Sequence, residues 1–335
     1  MKSLLLRKIN QFDIIRVVAM FAVVIDHYLQ LTGNYYLNNT GLCLGAIAVA
    51  QFFTLSALLF GDKWRKSENR GFKLLPFLQK RFMKIYIPLW VALVFIIALE
   101  LYAHNPIDVK IVVFNFLGLS WIMPFVWGGH LWYITMIIIL YVEFLVLSYI
   151  RTDKIPLSLW FITFVGLSIT ILCLPNVFNT VSKAIVPYAI FFAAMFFAVG
   201  DKLLALCGKY KILIFLCAIV CSGGTLSLYW DGVFQSLKGV ATVLSFISGV
   251  LLFLALATVF KNMRCKSKII GLLSGISYEV YLIHMTAIMF VKVLLPDCCS
   301  ILFYCLSIVL ILISALLLHI FCVRINNSLI GKVKC

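Results

Sequence analysis

The chain has 335 residues, 64% of them hydrophobic and only 12% charged, and its mean hydropathy is +1.11, which excludes a soluble globular domain and points to lipid as the main solvent. The formal charge of +16 does not call for a nucleic-acid partner, because basic loops lying on anionic lipid account for it. The apolar residues run unbroken for roughly 20 positions at a time rather than alternating over ten, so an all-α polytopic membrane protein is expected and a barrel is not.

In chain order, apolar runs at about 14–31, 41–61, 82–101, 130–150, 157–174, 184–204, 211–229, 239–260, 269–291 and 300–323 predict about ten transmembrane helices. The first run carries Arg16, Asp26 and His27 and ends without a small-residue cleavage site, so it is expected to remain as a span and not to be removed as a signal peptide. The stretch 109–127 is apolar too, but Gly118, Pro124 and Gly128 interrupt it, and it reads as a re-entrant or interfacial piece. With the N-terminus inside, 23 of the 28 Lys and Arg residues fall on the cytoplasmic side, in the termini and in the loops near 63–84, 151–154, 202–211 and 261–268. Only Lys110, Lys183, Lys238 and Lys292 fall outside, and Arg16 lies within a span, so both termini are predicted to be cytoplasmic. No linker, heptad array or repeat divides the chain, and 1–335 reads as a single integral membrane domain with no appended soluble domain.

The 11 cysteines show no CxxC and no zinc-like Cys/His spacing; they read as small buried hydrophobes, and no metal site is expected. Cys298 and Cys299 fall in a predicted outer loop, and the terminal Cys335 makes no prenylation box.

Ionisable groups inside a span cost about 2.5–3.5 kcal/mol each, so each is a functional candidate. The first helix holds Asp13, Arg16, Asp26 and His27. Arg16 and His27 are eleven residues apart, a net rotation of about 20° and a rise of about 16 Å, which puts them on one face half a membrane apart. That geometry suits an extended anionic ligand held at its charged end. The bland alternatives are snorkelling for Arg16 and a hydrogen-bonded packing role for His27. Further along, Lys80, Arg81 and Lys84 share about one face where the third span begins, where they can bind phosphates of a nucleotide-like donor or simply anchor the helix as positive-inside residues. His130, Trp132 and Tyr133 open the fourth span, with Glu143 thirteen residues beyond His130. For the two aromatics, an interfacial belt is the simpler reading. The ninth span contains Ser277, Tyr278, Glu279, Tyr281 and His284, of which Tyr281 and His284 are three apart and can face one cavity.

Taken in order, Asp13-x-x-Arg16 with His27 eleven residues on, Phe52-Phe53-Thr54-Leu55-Ser56, Lys80-Arg81-x-x-Lys84-Ile85-Tyr86-x-Pro88, His130-Leu131-Trp132-Tyr133 and Ser277-Tyr278-x-x-Tyr281-Leu282-Ile283-His284 resemble membrane acyltransferase family 3, many of whose members O-acetylate bacterial surface polysaccharides. The resemblance covers nearly the whole chain. It implies a multi-pass protein of the bacterial cytoplasmic membrane that takes an acyl-CoA, by default acetyl-CoA, as donor substrate with no permanently bound cofactor. It implies as acceptor a cell-surface or lipid-linked glycan. His27 would then be essential for transfer, Arg16 needed for donor binding or placement, and Arg81 a donor-phosphate contact. A neutral His27 imidazole is expected either to act as general base on an acceptor hydroxyl or to take the acyl group briefly itself, with Asp26 or a neighbour on another helix fixing its tautomer. The chain departs from the family's usual pattern at Ala57, where Gly is usual, and at Lys84, where Arg is common; neither touches the histidine. From the intramembrane charges alone, a permease for a polysaccharide or small solute is the competing class, though no paired halves with matching broken helices are visible.

Overall fold

A computed structural model describes residues 11–31, 33–67, 74–149, 187, 190, 208–230, 238–261, 267–296 and 300–333. The described residues form helices and no strand: α1 (Gln11–Gln30), α2 (Tyr35–Ser67), α3 (Leu74–Tyr102), α4 (Val109–Phe116), a 3-10 turn (Gly129–Leu131), α5 (Trp132–Tyr149), α6 (Lys211–Trp230), α7 (Lys238–Val259), α8 (Lys268–Leu294) and α9 (Ser300–Val333). Six of them, α2, α3, α6, α7, α8 and α9, are long and apolar enough to cross a membrane. Helix α1 has the length to cross, 20 residues, but carries Asp13, Arg16 and Asp26. The predicted span 157–174 lies outside the described residues, 184–204 does so apart from two positions, and Cys298 and Cys299 are also outside. Cys43, Cys217, Cys221, Cys305 and Cys322 are free thiols.

The chain forms two compact units. One holds α1, α2, α6 and α7, within Lys8–Phe72 and Ile139–Ile270. A four-residue connection containing Gly33, whose φ of +68° suits glycine, reverses the chain between α1 and α2, so the two helices pack antiparallel. Asn34 begins α2 by accepting a bond from the Leu37 amide (3.1 Å). α7 packs on α2 through Gly249, where a Cβ would come within 2.6 Å of the Ala50 Cβ. Between α6 and α7 the contact is partly polar: Thr225 meets Ser248 (3.1 Å), and Ser245 meets the Tyr229 hydroxyl (3.2 Å). In lipid, where no hydrophobic force separates one apolar helix from another, such small and hydroxylated residues hold helices together.

The other unit comprises Lys73–Ile138 and Gly271–Cys335, with α3, α4, the start of α5, most of α8, and α9. The stretch read as re-entrant contains only the eight-residue α4, about 12 Å long and too short to cross. Asp108 caps it by accepting from the Lys110 amide (2.8 Å), and Gly118, at φ +75°, ends it. Buried side chains then satisfy the irregular backbone that follows. Asn115 donates to the Met123 carbonyl (2.7 Å), Thr135 accepts from the Trp121 amide (3.1 Å), and Glu100 accepts from the Trp127 amide (2.7 Å). Glu100 and Asn115 are thus supports for a non-helical segment wrapped in protein, which is the condition for such backbone in a membrane.

Candidate active site

Helix α1 is unbroken from Gln11 to Gln30, so the intrahelical geometry of Arg16 and His27 holds. Val18 and Ile25, seven residues apart, form its exposed stripe. Nine residues, two and a half turns, separate Arg16 from Ile25 and Val18 from His27, so both polar side chains leave the helix on the side opposite that stripe. Met20 and Val23 on that side are buried, yet Arg16 keeps 25% and His27 18% of its side-chain surface accessible. Both therefore keep accessible surface on the packed side of α1. Arg16 Nη1 stands 3.6 Å from Oδ1 of the buried Asp13 one turn earlier, a pair that orients the guanidinium.

Asp26 is seated differently from its neighbour. Its carboxylate accepts a hydrogen bond from Gln30 Nε2, one turn on. It lies against α2 at Gly45, where any Cβ would fall on the carboxylate, and the Asp26 carbonyl oxygen would stand 2.6 Å from a Cβ at Gly41. Gly41-x-x-x-Gly45 is therefore the cradle of Asp26, a close-approach motif readable in the sequence as GxxxG in an apolar run. His27 Nε2 is 3.9 Å from Asp26 Oδ2, too long for a hydrogen bond. Ser56 on α2 is partly buried. It is eleven residues past Gly45, as Asp26 is eleven past Ile15, so in this antiparallel pair Ser56 lies about level with Ile15 and Arg16.

The remaining predicted residues belong to the other unit, except Glu143, whose side chain lies outside the described residues. Lys80 and Lys84 are exposed and Arg81 is half-buried near the start of α3. His130 sits in the 3-10 turn, Trp132 and Tyr133 open α5, and the Trp132 ring meets Trp121 edge-on at 5.7 Å. His130 and His284 approach with centroids 4.9 Å apart, and Tyr281 meets Tyr133 edge-on (5.3 Å) while its hydroxyl donates to the His130 carbonyl. His130 Nε2 lies 3.2 Å from the Leu282 carbonyl, and His284 Nδ1 is 2.7 Å from that of Tyr281. Ser277 bonds the Ser274 carbonyl (3.0 Å), and the Tyr278 hydroxyl donates to the Ile85 carbonyl on α3 (3.0 Å). These contacts tie α8 to α3 and to the start of α5.

Glu279 stands apart from Tyr281 and His284. Two residues turn the helix by about 200°, and Glu279 faces α9, where its Oε1 accepts from His319 Nδ1 at 2.7 Å. His319 is an ionisable residue alone in an apolar run, and that signal was open to sequence reading. Glu279 Oε2 and His319 Nε2 find no hydrogen-bond partner among the described residues, so this bond alone compensates a costly buried pair. His319→Ala is expected to destabilise the protein by about 1–3 kcal/mol, and adding Glu279→Gln should recover part of the loss; thermal unfolding of the purified single and double variants checks this.

Among the described residues no three His, Cys, Asp or Glu side chains converge as a metal site. The family model of an acyltransferase domain matches residues 9–320, spanning both units and every predicted site residue. Comparison with curated proteins and with solved structures gave no match.

Proposed function

Because the chain belongs to membrane acyltransferase family 3, we propose that it is a membrane O-acyltransferase that moves an acyl group, by default acetyl, from cytoplasmic acyl-CoA to a hydroxyl of a cell-surface or lipid-linked glycan. The observation that carries this reading is the placement of Arg16 and His27 on the packed side of α1, each with accessible surface and about 16 Å apart along the axis. With ten spans and cytoplasmic termini, Arg16 opens to the cytoplasm and His27 lies beyond the midplane of a bacterial cytoplasmic membrane.

In this reading Arg16, oriented by Asp13 and level with Ser56, holds the anionic end of the donor, and Lys80, Arg81 and Lys84 contribute to binding its phosphates. The pantetheine arm spans the rise to His27. There the imidazole accepts the acceptor hydroxyl's proton as the oxygen attacks the thioester carbonyl. The carbon–sulfur bond breaks, and the thiolate of CoA leaves and takes up the proton, which restores the neutral imidazole. The accessible guanidinium thus acts on binding and the imidazole on chemistry. His130, Trp132, Ser277, Tyr278, Tyr281 and His284 act in support, holding their helices in register. Asp26, bonded to Gln30 and cradled on α2, fixes where the end of α1 sits.

Arg16→Ala is expected to raise the KM for acetyl-CoA by about 10-fold or more with a smaller change in kcat, the loss of a charge-assisted contact. Initial rates at varied acetyl-CoA and fixed glycan measure it. An unchanged KM would remove Arg16 from the donor site.

A further inference from the structure

The last turn of α1 holds a carboxylate and an amide that the transfer chemistry does not use, beside the imidazole that it does. Asp26 and His27 are adjacent in sequence, and Gln30 lies one turn further on. Seen down the helix axis, Gln30 falls between them, about 40° from Asp26 and about 60° from His27, so its amide is within reach of either. It is committed to Asp26, where Gln30 Nε2 donates to Oδ1. The other carboxylate oxygen, Oδ2, stands 3.9 Å from His27 Nε2, about 1 Å beyond a hydrogen bond.

A carboxylate and an imidazole this close, away from bulk water, attract each other, so the gap needs a cause. Contacts with α2 supply a frame. Gly41 and Gly45 receive the Asp26 carbonyl and carboxylate, and Asn38 Nδ2 donates to the Gln30 carbonyl (3.2 Å), which fixes the backbone from which the Gln30 amide reaches. The glycine cradle limits where the carboxylate can go but offers it no donor side chain; Gln30 does. What is at stake is a lone pair. In the proposed reaction His27 accepts a proton, and Nε2, the ring nitrogen farther from its own backbone, is the one that can reach an acceptor hydroxyl. If Oδ2 closed the gap, Nε2 would carry the proton it gives to the carboxylate, and its lone pair would be gone. Without Gln30, a carboxylate whose side chain keeps only 9% of its surface accessible would be short of a donor, and His27 Nε2 stands beside it.

We propose that Gln30 is a positioning residue that holds the Asp26 carboxylate off His27 Nε2 and so keeps that nitrogen's lone pair for the acceptor hydroxyl. This rests on the acyltransferase reading, and the test separates the two by reading the imidazole directly as well as the reaction. The purified full chain, with histidine labelled in its ring nitrogens, is placed in lipid nanodiscs at about pH 8, above the ordinary imidazole range. NMR then distinguishes a ring nitrogen that bears a proton from one that bears a lone pair, and the His27 signals are those lost in His27→Gln. Wild-type Nε2 should show a lone pair. In Gln30→Leu, of similar size but with no donor, Nε2 should show a proton, and adding Asp26→Asn should return the lone pair. Gln30→Met gives the same comparison if the leucine variant fails to fold.

The acceptor for the rate measurement is the host's surface glycan stripped of its O-acyl esters with alkali. With labelled acetyl-CoA, Gln30→Leu should lower kcat by about 10-fold or more at an unchanged acetyl-CoA KM, and adding Asp26→Asn should recover most of that loss. A merely structural role for Gln30 would lower the yield of folded protein without moving the proton on Nε2. Nε2 unchanged in the Gln30 variants, or already protonated in the wild type, overturns the proposal. So does an unchanged kcat in Gln30→Leu beside a protonated Nε2, because the lone pair would then not be the base. If Nε2 responds as expected while the wild type transfers no label, the restraint on Asp26 stands and the acyltransferase reading for this acceptor falls.

Discussion

His27→Ala is expected to lower kcat for acyl transfer by about 10²- to 10⁴-fold, the usual range for a lost general base, with little change in the acetyl-CoA KM or in the yield of folded protein. The split follows from the geometry. Arg16, which the account assigns to donor binding, is about 16 Å away along α1 and is not disturbed by truncating His27. The imidazole is partly accessible, and the helix around it is held by Asp26 and Gln30, so removing the ring leaves the α1–α2 contact in place. His27→Gln should be nearly as inactive, because an amide can hydrogen-bond but cannot take up a proton at neutral pH. Single-turnover transfer with labelled acetyl-CoA on purified variants reads both effects. Retention of near-normal kcat in His27→Ala would assign the base elsewhere.

The second large effect is steric. A Cβ at Gly45 would fall on the Asp26 carboxylate, and one at Gly41 on the Asp26 carbonyl oxygen, so either Gly→Ala substitution forces α1 from α2. Overpacking of this kind costs about 1–3 kcal/mol, and displacing the reactive end of α1 by an ångström costs activity steeply. The two variants should then behave differently. Asp26→Ala removes the atoms that Gly45→Ala strikes and should restore the yield of folded protein, whereas it leaves the backbone oxygen that Gly41→Ala strikes and should not rescue that variant. Detergent size-exclusion profiles of the singles and doubles measure this. Equal rescue of both would mean that the carboxylate is not what Gly45 accommodates.

Features contained within one helix were legible before any fold was known. The Arg16–His27 stripe and the Tyr281–His284 face depend only on the 100° turn per residue, and the structure keeps both. Helix ends were less legible. α2 begins at Tyr35 where the apolar run begins near 41, and α9 continues to Val333 where the run stops near 323, because polar residues beyond the hydrocarbon still propagate a helix and hydropathy does not sense them. Contacts between helices were not legible in advance. Glu279 stood out only as an ionisable group inside a span, and nothing local gives it to His319, forty residues away on α9. Gly41 and Gly45 carried a readable packing motif, but nothing local says that the group packed against them is a carboxylate.

The central claim is that a thioester is consumed when this chain acts on a glycan. The full chain in lipid nanodiscs, given acetyl-CoA labelled in the acetyl group and alkali-stripped surface glycan, should release one CoA thiol for each labelled acetyl group recovered as an alkali-labile ester. Thiol release that does not rise above the protein-free control, with the glycan unlabelled, would contradict the account.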